Sequence, residues 1–105
     1  MTEGKTRWTS TDGRHTVEVR GALVLFDISE STLSGVTYTD GRTHYIADEF
    51  YVWENDQQLC IRHRISKAAT KVCSDDREML KDFHDKIIEA QNVALMYLYR
   101  MGRGR

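Results

Sequence analysis

The chain has 105 residues, 40% hydrophobic and 30% charged, with a formal net charge of −1. That length and balance fit one globular domain with a modest core and exclude a disordered chain. The near-neutral charge argues against a dedicated nucleic-acid binder, and no apolar run approaches the roughly 18 residues of a membrane-spanning helix.

Residues 1–5 form a loose N-terminal arm, without the apolar stretch of a signal peptide. The tetrapeptide Thr-Asp-Gly-Arg follows twice, at Thr11–Arg14 and Thr39–Arg42, each time between strand-forming residues. Asp-Gly in that setting predicts type I′ hairpin turns. The first joins a strand over Thr6–Thr11 to one starting at His15, in which Val17 and Val19 alternate with Glu18 and Arg20. Gly21 reads as a bend within one long strand that continues through Ala22–Phe26, central and covered on both faces. Ser29–Ser34 reads as a polar connection, and the second hairpin pairs Gly35–Thr39 with Arg42–Ala47. Phe50–Trp53 is the next strand, followed by a turn at Glu54–Gln57. Leu59–Ile65 places Leu59, Ile61, His63 and Ile65 on one face, with Cys60, Arg62 and Arg64 on the other. Ala69–Cys73 is the last strand, so that strands occupy residues 6–73.

One helix ends the chain, over residues 75–101, with a basic tail at 102–105. Asp75 and Glu78 have capping-box spacing, and Gly102 supplies a stop. Leu80, Phe83, Ile87, Ala90, Ala94 and Leu98 recur every three or four residues as an apolar stripe, and Asp82 can pair with Lys86 one turn on. The whole predicts an α+β fold in a single domain, residues 1–105: a bent antiparallel sheet or small barrel of about seven strands with one long C-terminal helix.

The strand count, together with Phe83, Ile87 and Ala90 on the terminal helix, resembles the pleckstrin-homology superfold. In that family a bent seven-stranded barrel is closed by a helix carrying an aromatic residue, usually Trp, with apolar residues four and seven positions later. Here Phe83 takes the aromatic place. The resemblance implies a domain that binds a peptide or protein. Lipid-binding members carry a basic cluster across the first hairpin, whereas here Lys5, Arg7 and Arg14 are diluted by Glu3 and Asp12.

Charge is unevenly spread. Residues 29–56 hold six acids (Glu30, Asp40, Asp48, Glu49, Glu54, Asp56) against Arg42, and residues 57–74 hold four bases (Arg62, Arg64, Lys67, Lys71) and no acid. Arg62 and Arg64 share a strand face that can meet a phosphate or an acidic peptide, or pair with neighbouring acidic strands. Arg14 and Arg42, at the two turn tips, would join an anion site if the tips meet. Asp12 with His15 and Asp40 with His44 look like acid–base pairs. Turn chemistry explains them more simply, with each His an exposed strand residue beside a turn Asp. Cys60, His63, Cys73 and His84 lack the ligand spacing of a zinc site, and no signature of a cysteine nucleophile surrounds either thiol. No cofactor or metal is implied. Unbridged cysteines fit a cytoplasmic protein.

Val93-Ala94-Leu95-Met96-Tyr97-Leu98-Tyr99 is apolar around the whole helix. A helix over 76–100 spans about 37 Å at 1.5 Å per residue, long enough to overhang its sheet. The expectation is a non-enzymatic protein-interaction domain, an adaptor or occluding inhibitor. It would self-associate through Val93, Leu95, Met96, Tyr97, Leu98 and Tyr99, with Arg100, Arg103 and Arg105 at the rim. The alternative is a module for phosphate or another small anion that uses Arg14, Arg42, Arg62 and Arg64.

Overall fold

The computed structural model describes residues 5–29, 31–33, 36–38, 41–55 and 57–101. Its elements run β1 (Arg7–Thr9), β2 (His15–Arg20), β3 (Leu23–Ile28), β4 (Ser31–Leu33), β5 (Val36–Tyr38), β6 (Gly41–Ile46), β7 (Phe50–Asn55), β8 (Gln58–His63), β9 (Ala69–Cys73) and α1 (Arg77–Arg100). Seven strands form two antiparallel sheets, in the orders β1-β2-β3-β6 and β7-β8-β9, and β4 with β5 makes a separate ribbon. The α+β class and the long terminal helix hold, but the strands form two sheets and not a closed barrel.

The first Thr-Asp-Gly-Arg closes a hairpin with a different turn from the one expected. A type I′ turn needs positive φ at both central residues. Here the Gly13 amide donates to the Ser10 carbonyl, and within this turn positive φ occurs at Gly13 alone. Gly21 is not a bend in one strand either. Arg20 pairs with Leu23 across a two-residue loop whose first residue, Gly21, has φ 62°, so β2 and β3 are a tight hairpin. Nor is β3 covered on both faces: Val24, Phe26 and Ile28 are buried, while Asp27 on the other face is exposed.

The second Thr-Asp-Gly-Arg does not pair its flanking strands. Thr39 and Asp40 lie outside the described residues, but β5 pairs with β4 and β6 pairs with β3, Asp27 opposite Arg42 and Ile28 opposite Gly41. The segment read as a polar connection therefore contains a strand. Segments 31–33 and 36–38 close a short local loop at low entropic cost, which leaves β6 to continue the main sheet. The β8 strand stops at His63. A turn follows, with Lys67 at φ 68°, and it leaves Ile65 exposed and off the buried face.

Inward-facing residues of both sheets form the core, among them Val17, Val24, Phe26 and Tyr45 from the first sheet and Phe50, Leu59, Ile61 and Val72 from the second. Phe26 and Phe50 meet edge to face, with centroids 5.5 Å apart. The Thr43 and Thr70 hydroxyls hydrogen-bond across the interior at 3.2 Å. The helix packs against both sheets with the stripe Leu80, Phe83, Ile87, Ala90, Ala94 and Leu98. Gln91 fixes its position: its side-chain amide donates to the carbonyls of Ala47 (2.7 Å) and Phe50 (3.1 Å) at the corner between the sheets. The N-cap is Asp76, one residue after the Asp expected, because its carboxylate accepts from the Met79 amide at 3.1 Å. The i,i+4 pair Asp82–Lys86 forms as expected.

Candidate functional site

The six apolar residues at the end of α1 divide into three groups. Leu98 is buried in the chain's own core together with Ala94, so the inner stripe stays packed into the last turn and does not overhang. Val93 and Leu95 are partly buried against that core. Met96, Tyr97 and Tyr99 are 56%, 46% and 62% exposed, and Met101 beyond them is also exposed. Tyr97 leans over the β2–β3 turn, where a Cβ built on Gly21 would lie 3.2 Å from its ring.

Along the outward ridge of α1, Glu78, Asp82, Asp85, Glu89, Asn92, Met96 and Tyr99 follow one another at steps of four and three. Such steps keep residues on one helix face. The ridge is acidic along its first half and apolar near its end. Arg100 in the last turn favours the negative end of the helix dipole.

The four candidate arginines fall into separate groups. By register, His15, Ile28 and Gly41 are aligned, so the first tip and the start of β6 lie at one end of the larger sheet, with β3 between them. Arg42 points outward there, beside Asp27 at 3.7 Å. It belongs to a shallow depression of ≈ 540 Å³ on the outer face, which also includes Arg7, Glu18, Arg20 and His44. Arg62 lies on the other sheet, while Arg64 falls in the turn after β8 and not on the strand face expected for both. The inward face of that sheet holds Leu59 and Ile61, and its outward face carries Tyr51, Trp53 and Arg62. Because the sheets pack inner face to inner face, Arg42 and Arg62 look in opposite directions.

Arg62 and Arg64 also lack the cross-strand carboxylates that the charge map suggested. Tyr51 and Trp53 stack with centroids 5.3 Å apart and planes 20° from parallel. The Arg62 guanidinium lies 5.7 Å from the Trp53 ring centre, and that of Arg64 lies 5.3 Å from the Tyr51 ring centre. Among the described residues neither forms an ion pair, and the buried Arg62 Nε has no hydrogen-bond partner. The aromatic half of this ladder was missed in the sequence. Its signal was the alternation of Tyr51 and Trp53 along β7, and the register of β7 with β8 sets Tyr51 directly opposite Arg62.

The two His–Asp pairs part company. His44 is exposed, as expected, while its partner Asp40 lies outside the described residues. His15 is buried, contrary to the expectation: the strand period puts it on the inner face with Val17 and Val19, 6.0 Å from the Phe83 ring. Its Nδ1 accepts from the Ser29 amide at 3.3 Å. Burial pushes its pKa below the ordinary value, helped by Arg14 and opposed by Asp12. Partial burial of Asp12 works to raise its pKa. It is outweighed by hydrogen bonds from the Ser10 hydroxyl and the Arg14 amide and by the charges of His15 and Arg14, so the carboxyl sits lower than usual. The Ser10 hydroxyl donates to Asp12 and accepts from the His15 amide, so the set organises the turn.

His63 is likewise held by local contacts. Its Nδ1 accepts from the Ser66 amide at 3.0 Å, its Nε2 faces Glu49 at 3.6 Å, and its ring lies 5.3 Å from Tyr45. Cys60 and Cys73 form no disulfide, and His84 sits beside Asp85 on the helix. No group of three or more metal-ligating side chains occurs among the described residues, and no described helix is long and apolar enough to cross a membrane. Comparison with protein-family models, curated proteins and solved structures gives no match.

Proposed function

We propose that this chain is a non-enzymatic protein-interaction domain of pleckstrin-homology-like architecture that self-associates through the outward end of α1. The observation that carries the reading is the exposure of Met96, Tyr97 and Tyr99 on a helix whose inner stripe is already satisfied. Large apolar side chains clustered in the open are a feature of interfaces, where Met and Tyr are enriched. The order of elements supports the architecture: a four-stranded antiparallel sheet, a three-stranded one, then a helix packed on both through Phe83, Ile87 and Ala90.

The partner that fits is a second copy. Two α1 helices laid antiparallel about a two-fold axis set Met96 and Tyr99 against each other's middle turns. Arg100 of each then lies beside the acidic Asp85–Glu89 turn of the other. An isologous contact of this kind uses one patch twice and closes on itself. An adaptor or an occluding inhibitor could be built on such a dimer, and reduced Cys60 and Cys73 suit a cytoplasmic setting.

Sedimentation velocity across a concentration series tests the reading. The wild type is expected to approach twice the chain mass, and Tyr99→Lys to stay monomeric with its melting temperature unchanged at low concentration. A wild type that remains monomeric throughout overturns it. The anion-module alternative has less support, because Arg42 and Arg62 face opposite ways and Arg42 already has a carboxylate neighbour.

A further inference from the structure

The outward face of β7 and β8 carries a second feature, independent of self-association. Most surface arginines are mobile, and an arriving anion must pay to order them. Arg62 and Arg64 are ordered in advance, each lying over an aromatic ring. A ring covers the flat face of a guanidinium and leaves its two terminal amino groups for a carboxylate, which can bind them in the two-pronged manner that suits arginine. Both are without a carboxylate among the described residues, in a chain that has one acid more than it has Lys and Arg combined.

The spacing adds a geometric condition. The rings that carry the two guanidinium groups, Tyr51 and Trp53, are two apart on β7, and such residues on an extended chain are separated by about 6.8 Å, at about 3.4 Å per residue. The same distance separates alternate side chains of any extended peptide laid alongside. We propose that the face formed by Tyr51, Trp53, Arg62 and Arg64 receives an extended acidic segment of a partner protein, with carboxylates at alternate positions, one for each guanidinium.

A single-stranded nucleic acid is the competing occupant, since aromatic rings with arginine also suit stacked bases. The charge surroundings favour the peptide. Nucleic-acid affinity grows with the number of phosphates neutralised. This face offers Arg62, Arg64 and Lys71, which lies opposite Cys60 as Trp53 does, in a chain of net charge −1. A backbone charged at every nucleotide brings more charge than these few cations neutralise, whereas a peptide with two carboxylates matches the two stacked guanidinium groups.

The full chain, ¹⁵N-labelled, tests this through its two indole N–H resonances. Trp53 lies in the ladder, and Trp8, buried in the core, is the internal control. The probes are acetyl-Ser-Glu-Ser-Glu-Ser-amide, the same peptide with Gln for Glu, and a short oligothymidylate. The expected result is a saturable shift of Trp53 but not Trp8 with the Glu peptide, and none with the Gln peptide. Arg64→Lys, which keeps the charge but loses the planar fork, is expected to weaken binding at least about tenfold with an unchanged melting temperature. Three results would each overturn the proposal: no saturable shift up to about millimolar peptide, an equal response to the Gln peptide, or a response to the oligothymidylate alone.

Discussion

The two halves of α1 bury the same stripe and differ in what they show to solvent. In the first half the buried Leu80, Phe83 and Ile87 are backed by Glu78, Asp82, Asp85 and Glu89, the usual division of an amphipathic helix. In the second half the buried Ala94 and Leu98 are backed by Met96 and Tyr99. Packing demands are alike in both halves, so the fold does not account for the apolar outer residues. Removing a core residue from the first half should cost stability, and removing an outer residue from the second should cost association.

Phe83→Ala has the largest expected effect. Its ring is fully buried between the helix and both sheets. Truncation of such a residue costs about 3–5 kcal/mol, read as a lower urea midpoint at unchanged slope. Tyr99→Ala should change the unfolding free energy, read the same way, by less than about 0.5 kcal/mol at concentrations where the chain is monomeric. Comparable losses from the two changes would erase the distinction between the halves.

Gly21→Ala decides which side of the comparison Tyr97 belongs to. The turn needs positive φ at this position, and an added Cβ meets the Tyr97 ring. A loss of more than about 1 kcal/mol is expected, part of it relieved in the double variant with Tyr97→Ala. Full additivity would show that Tyr97 makes no use of the turn and belongs with Met96 and Tyr99.

A smaller effect follows from pH. His15 lies against Phe83 in the packed half, and burial lowers its pKa from the ordinary 6.5. The unfolded chain therefore binds more protons just below that value. The contribution of His15 to stability is complete above about pH 6.5 and is lost as pH falls through the depressed folded value. Asp12, also lowered, adds a loss in the same direction below its ordinary 3.8. Urea midpoints at about pH 7.5 and about pH 5 should fall further apart in the wild type than in His15→Asn, whose amide oxygen can still accept from Ser29. An equal fall in both would remove His15 from the account.

Much of this was legible in the sequence wherever local pattern decides structure. The helix, its stripe and the last strand follow from periodicity, and the strand Ala69–Cys73 has the bounds expected of it. Failures came where a glycine could serve two geometries. Gly21 suits a bend or a tight turn, and the choice depends on whether β3 pairs with β2, which is a tertiary matter. The repeated Thr-Asp-Gly-Arg misled for a related reason, since the same four residues close a hairpin once and lead into a non-adjacent pairing the second time. His15 was misplaced although period two put it with Val17 and Val19, because the turn Asp beside it drew it to the surface. At the helix end, composition identified an apolar cluster, but the contact with the β2–β3 turn, which fixes where Tyr97 lies, came from the assembled fold.

The central claim is that the end of α1 meets the same helix of a second copy, antiparallel, with Arg100 beside Asp85 and Glu89. A charge exchange tests it most directly. Arg100→Glu alone and the double variant Asp85→Arg, Glu89→Arg should each sediment as monomers, because each sets like charges against one another at both ends of the pair. Mixed in equal amounts they should restore the dimer mass, since both ends are then complementary. Two variants that stay monomeric in the mixture, or that each dimerise alone as the wild type does, would contradict the account.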